Sequence, residues 1–249
     1  MTADTVVFDV SEDWASACDV QQGFMHHAAS TLDALSYAAR CRQLRALGGD
    51  GYDFLPLPKN RLAFAIGDAS GKSLPAALMI ANVQSSVRTA ASFAGNDPAV
   101  VLEAVNRQVH ASCLADRFAT LFFGIFDAAT RTLRYANGGH NPPLVVRRDS
   151  SVVWLETAGL PLGLFPDSVY EEGRLLLHAG DTVIAYTDGV IEAVNESGEE
   201  WGVEGIRKAA VENTAKNAHE LVEAIFRSLD EFSTGCQTDD ATIIVARVQ

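Results

Sequence analysis

Four aspartates in this chain each stand where an apolar run meets a tight turn. They lie in Gly48-Gly49-Asp50, Gly67-Asp68-Ala69-Ser70-Gly71, Thr187-Asp188-Gly189 and Thr238-Asp239-Asp240-Ala241-Thr242. Each turn adjoins an apolar strand, from Tyr52, Leu62, Val183 and Thr242 respectively. If those strands run centrally, the carboxylates meet at one sheet edge. Like charges raise one another's pKa, so such a group cannot stay ionised and unpaired. Divalent cations relieve the repulsion, and all-oxygen ligation without His or Cys favours Mg²⁺ or Mn²⁺ over zinc or copper. A single Asp-Gly is an ordinary turn, because Asp bonds its own backbone and Gly tolerates positive φ. The weight lies in the repetition.

The segments between these turns set the layers. Residues 1–10 read as a ragged lead, and a helix runs over 11–29 with Ser11 as N-cap and Glu12 and Asp13 in its first turn. Its stripe of Trp14, Ala17, Cys18, Phe24, Met25 and Ala28 packs on its own domain or forms a seam for a second subunit or an upstream helix. A strand is expected at 35–45, then a strand pair at 52–58 and 61–66 joined by Leu57-Pro58-Lys59-Asn60. Helices follow at 76–94, where Ser73 is the candidate N-cap, and from Asp97-Pro98 to about residue 114. Strands are expected at 118–127, 132–137, 143–147, 152–155, 173–178 and 181–187. Helices at 203–214 and 217–232 precede a last strand at 240–248. Strands joined by short turns imply antiparallel pairing, and two helix pairs can cover the outer faces. The fold class is therefore α+β: a four-layer αββα sandwich of two largely antiparallel sheets flanked by helix pairs. Residues 1–30 form the lead and linker-type helix, and 31–249 the main domain.

Charge and cysteine usage exclude several function classes. Nineteen basic against 32 acidic residues give a net charge of −13, which repels phosphate backbones and anionic lipids. Neither nucleic acid nor membrane is an expected partner. Cys18, Cys41, Cys113 and Cys236 lie far apart, without zinc-ribbon or redox spacing, and read as small core residues of a reducing compartment. With no basic-then-apolar leader and no long apolar run, the chain reads as cytoplasmic.

The order and spacing of AAR (38–40), GDGYDF (49–54), RLAFAIGDASGKSLPAALMIA, NGGHNPP, LPLGL, YTDGVIEA and TDDATIIV resemble one family. They are similar to the SpoIIE/RsbU branch of the PPM-type metal-dependent protein serine/threonine phosphatases, from about residue 35 to 249. The resemblance implies an αββα sandwich and two divalent metal ions, Mn²⁺ or Mg²⁺. By it, Asp68 bridges the ions with the Ala69 carbonyl on one of them, Asp50 assists on the first side, and Asp188 and Asp239 complete the second. Asp240 is the lesser candidate, in a supporting place. The implied reaction is hydrolysis of phosphoserine or phosphothreonine by a water activated between two metals. The implied substrate is a phosphorylated protein, a STAS-type antagonist of an anti-sigma factor in bacterial partner switching.

The chain departs from the branch pattern at two positions. Gly51 stands where an aromatic is usual, which predicts a more mobile loop after Asp50, and Ser73 replaces a glycine, tolerated as a helix cap. His140 reads as the pin of the 137–143 turn or as a general acid. Arg45, five residues before Asp50 on the strand leading into the site, is a candidate for substrate phosphate. Arg40 and Arg42 read as surface partners for acids. Two other readings remain: a docking module that keeps the phosphatase fold, and a core latent until a partner or a homodimer through residues 11–29 completes the metal site.

Overall fold

The computed structural model describes residues 10–25, 29–93, 97–114 and 116–249. The expected lead at 1–9 and Ala28 of the stripe lie outside them. Helix α1 (Val10–Phe24) is followed by β1 (Ala29–Leu32) and β2 (Leu35–Arg42). Ser11 is therefore inside the helix rather than capping it, and the chain is already a strand at residue 29, where helix was expected. Strands β3 (Asp50–Leu57) and β4 (Arg61–Ala69) form the predicted hairpin, closed by Lys59 and Asn60 at φ +63° and +58°. Helices α2 (Leu74–Phe93) and α3 (Pro98–Ser112) come next. The Asp97 carboxylate caps α3, accepting from the Ala99 and Val100 amides at 3.0 and 3.3 Å.

Strands β5 (Ala119–Asp127), β6 (Thr132–Gly138), β7 (Leu144–Val146), β8 (Val152–Trp154), β9 (Gly173–Leu176) and β10 (Thr182–Tyr186) follow as predicted. A one-turn helix, α4 (Asp188–Ile191), carries Asp188. Helices α5 (Gly202–Glu212) and α6 (Ala218–Ser233) lead to β11 (Ala241–Val248). The sheets run β1-β2-β11-β10-β7-β8 and β3-β4-β5-β6-β9, and every pairing named is antiparallel.

Period-2 alternation sorts each strand between two cores. Leu62, Phe64 and Ile66 of β4 face the other sheet, where they meet Tyr37, Val183 and Ile244; Ala63 and Ala65 face α2 and α3. On the opposite side Ile243 and Val245 of β11 pack under Ile225 and Phe226 of α6. Full burial of each such side chain contributes roughly 1.5–3 kcal/mol. The layers are α2/α3, sheet, sheet, α5/α6, as expected. Arg40 and Arg42 pair with Glu223 and Asp230 at 2.8 and 2.6 Å and lie over the Phe226 ring.

Three expectations need correction. The cysteines are not all core residues: Cys41 and Cys113 are half-buried against the inter-sheet and α2/α3 cores, Cys18 is half-buried and Cys236 is exposed. Cys41 alone borders the inter-sheet core, while Cys236 follows the end of α6. Gly51 is not in a mobile loop. It is buried in β3 opposite Gly67, and a Cβ there would come 2.7 Å from Ile80 Cγ1, so α2 packs directly on its backbone. Ser73 is no conventional cap, since its φ is +63° and capping needs an extended backbone that turns the hydroxyl towards the first amides. Only its carbonyl takes part, accepting from the Ala77 amide at 2.9 Å. Ser73→Gly is expected to relieve about 1 kcal/mol of left-handed strain and raise the urea midpoint. A lowered midpoint would show that the hydroxyl matters more than the backbone.

Candidate metal centre

The inter-sheet face ends in polar residues at one edge. Asp68 continues the inward row Leu62, Phe64 and Ile66, and Asp50 heads the row Tyr52 and Phe54. Asp50 and Asp68 are direct partners across β3–β4, and Asp68 and Thr120 across β4–β5, so all three side chains share one face. From the other sheet, Thr187 follows the inward Val183 and Ala185, and Thr242 precedes Ile244 and Ala246. Both threonine hydroxyls donate to Asp50 Oδ2, at 2.7 Å from Thr187 and 2.6 Å from Thr242. The alternation that buries the core thus delivers the carboxylates to its rim.

The acids repel one another there. Burial pushes the Asp68 carboxyl up to about 7, with Asp188, Asp239 and Asp240 adding to the rise and the Ala69 amide opposing it. Burial and then the Asp68 charge hold Asp50 well above the usual carboxylate range, against the two threonine hydroxyls. Asp188 is raised mainly by burial, with Asp239 contributing and the Gly189 amide opposing.

Each remaining candidate has a definite place. Asp239 Oδ2 meets Lys72 Nζ at 2.8 Å, and its Oδ1 accepts from the Asp240 amide at 2.9 Å. The Asp240 carboxylate turns away, accepting from Leu44 N at 2.7 Å and Gly49 N at 2.8 Å. It ties down the loop that delivers Asp50. His140 is buried within its turn: its amide donates to Asn137 Oδ1, and its carbonyl accepts from Asn137 Nδ2. Its Nδ1 shares a 2.8 Å hydrogen bond with Thr120 Oγ1. Burial lowers its pKa to about 4, opposed by a backbone contact with Tyr186. At neutral pH it is an uncharged pin, which does not suit a general acid. Arg45 is not on a strand; β2 ends at Arg42 and Arg45 is exposed in the following loop, where its charge reaches Lys72.

These residues fit divalent cations by donor chemistry, being hard oxygens whose mutual repulsion a cation removes. Gly49 keeps the place open: a Cβ there would stand 2.9 Å from the Ala69 carbonyl and 3.1 Å from Asp68 Oδ1. Among the described residues, the acids do not form a ready-made group of three around one point. Asp50 is held by threonines, Asp239 by Lys72 and Asp240 by the loop. Thr187, Thr242, Thr120 and Lys72 join the site in the fold without a motif that marks them for it in the sequence. The threonines were legible as inward positions in phase with the core residues of their strands.

The chain matches the family described as Stage II sporulation protein E (SpoIIE) over residues 58–249. It is 30% identical to phosphoserine phosphatase RsbU of Bacillus subtilis over 232 residues, covering 93% of this chain and 68% of that protein. To protein IcfG of Synechocystis it is 26% identical, covering 90% of this chain but 40% of that one. The fold superposes on the SiaA-PP2C domain of Pseudomonas aeruginosa with a TM-score of 0.84, at 21% identity and covering 96% and 97% of the two chains. A family match over most of the chain and a shared sandwich together show that it belongs to the SpoIIE/RsbU branch of the PPM-type metal-dependent protein serine/threonine phosphatases.

Proposed function

We propose that the chain hydrolyses phosphoserine or phosphothreonine on a partner protein, using two divalent ions, Mn²⁺ or Mg²⁺. The observation that carries this reading is the buried acidic edge, where Asp68 is pushed up to about 7 by burial and by Asp188, Asp239 and Asp240. When bound, such ions activate water and neutralise phosphoryl charge. Asp68 and the Ala69 carbonyl stand between the two halves of the site, Asp50 is aimed by Thr187 and Thr242, and Asp188 and Asp239 form the far half. The relative's name, phosphoserine phosphatase RsbU, supports the substrate class. The partner is a STAS-type antagonist of an anti-sigma factor in cytoplasmic partner switching. Arg45, exposed on the loop that Asp240 holds, meets the substrate phosphate. Residues 31–249 are the catalytic unit and 1–30 its lead.

A second reading, the latent core, is favoured by α1. Gln21 Nε2 donates to the Gly48 carbonyl at 2.8 Å, and the Gly48 amide donates back to Gln21 Oε1 at 3.2 Å. Movement of α1 therefore pulls on the loop that delivers Asp50. Val20, Leu74 and Leu78 leave an apolar groove exposed between α1 and α2, which supports a homodimer through residues 11–29. Asp50, Asp68, Asp188 and Asp239 are all present, which speaks against a pure docking module.

Hydrolysis of an aryl phosphate with Mn²⁺, Mg²⁺ or EDTA tests the proposal. Turnover is expected with Mn²⁺, absent in EDTA, and reduced by about a hundredfold or more in Asp188→Asn. No turnover with any metal at high protein concentration would sink the free-standing enzyme and leave the latent or docking readings.

A further inference from the structure

Lys72 stands among the acids. It follows Gly71, whose φ of +102° turns the chain away from the end of β4, and its Nζ lies 2.8 Å from Asp239 Oδ2. Its charge also reaches Asp188 and Glu192. Both side chains of the pair are about half exposed, at 54% for Lys72 and 42% for Asp239. An ion pair that open contributes little to folding stability. Its effect lies in competition, because a cation that takes Asp239 Oδ2 must part it from Nζ. That cation then stands close to a like charge. The other half of the site has no such rival among the contacts described, since the hydroxyls on Asp50 are neutral.

We propose that Lys72 is the built-in counter-cation of the Asp188–Asp239 half, competes with the divalent ion for Asp239, and makes the two halves load unequally. This rests on the metal-dependent reading above. The Asp50–Asp68 half fills first. The Asp188–Asp239 half fills only when Lys72 swings out, for which its long exposed stem leaves room.

The test is calorimetric titration of Mn²⁺ into the full chain, checked by the electron paramagnetic resonance signal of free Mn²⁺, for wild type, Lys72→Met and Lys72→Arg. Wild type is expected to show one tighter and one weaker event. Lys72→Met is expected to tighten the weaker event by about three- to tenfold and leave the tighter one unchanged, since it removes a weak pair and a like charge. Lys72→Arg, which keeps the charge, is expected to stay within about twofold of wild type. An unchanged or weaker second event in Lys72→Met overturns the proposal. So does unchanged Mn²⁺ affinity with a raised KM for aryl phosphate, which would make Lys72 a contact for substrate instead. Absence of Mn²⁺ binding in all three proteins would overturn the metal-dependent reading itself, and this proposal with it. Superimposable melting curves in EDTA show that the variants fold.

Discussion

Asp68→Asn is expected to lower Mn²⁺-dependent hydrolysis by about two to three orders of magnitude and, at the same time, to stabilise the metal-free protein at neutral pH. The two effects share one cause. The Asp68 carboxyl sits at about 7 in the folded chain against an ordinary 3.8, raised first by burial and then by Asp188, Asp239 and Asp240. The folded protein therefore holds a proton that the unfolded chain has already lost. Stability then falls as pH rises from about 4 to about 7, and the whole penalty is present above that window. Its size is on the order of 2–4 kcal/mol. Asn carries no charge and removes it, while losing the carboxylate proposed to hold the metal ions, which is expected to lower hydrolysis by about 10²- to 10³-fold.

Urea midpoints in EDTA between pH 5 and 8 read the first effect. Wild type should lose stability with rising pH, with Asp50 and Asp188 adding in the same direction. Asp68→Asn should give a flatter profile that lies above wild type at pH 7. Excess Mn²⁺ should raise the wild-type midpoint through binding to the folded state and leave the variant nearly unmoved. A pH-independent wild-type midpoint would mean that the acids do not strain one another as the geometry implies.

Gly189→Ala is the second large effect. A Cβ at this position would lie 2.0 Å from the Asp240 carbonyl oxygen and 3.2 Å from Asp239 Cβ. The obstacle is backbone held in place: the Thr187 amide donates to the Thr242 carbonyl at 3.1 Å, and the Thr242 amide donates to Thr187 Oγ1 at 2.9 Å. Neither side can yield without pushing α4 off the start of β11. That separates Asp188 from Asp239 and loosens the hydroxyl grip on Asp50. A loss of about 3 kcal/mol in urea unfolding is expected, with Mn²⁺ binding weakened even where the protein stays folded. Wild-type stability together with wild-type Mn²⁺ affinity would show that the two segments slide apart freely.

Local signals carried most of the architecture. Asp97-Pro98 marks the start of α3 because a carboxylate there satisfies amides that the first helical turn leaves open. The β3–β4 hairpin reads from its turn residues, and alternation along β4, β10 and β11 separates inward from outward positions. Two elements carry no clear local signal: β1, four residues formed by pairing with β2, and α4, a single turn below what helix nucleation sustains without tertiary support. The expected reach of α1 to residue 29 has another origin: the helix ends at Phe24, and from Ala29 the chain is held as a strand by pairing with β2, a long-range contact that a helical stripe does not report.

The sequence by itself determined that four aspartates end apolar strands and that two sheets lie between helix pairs. It also set their inward phase, because side-chain period is a property of each strand alone. Which acids meet was decided only by tertiary structure. Register between β3 and β4 sets Asp50 opposite Asp68, and the stacking of the two sheets brings Thr187 and Thr242 onto Asp50. The same packing aims Asp239 at Lys72 and Asp240 at the 44–49 loop, although the two acids are chain neighbours. Neighbours along a chain share a local pattern, but the hydrogen bonds that hold Asp50 and Asp240 come from Thr242 and Gly49, far away along the chain, and such contacts decide what each carboxylate can do.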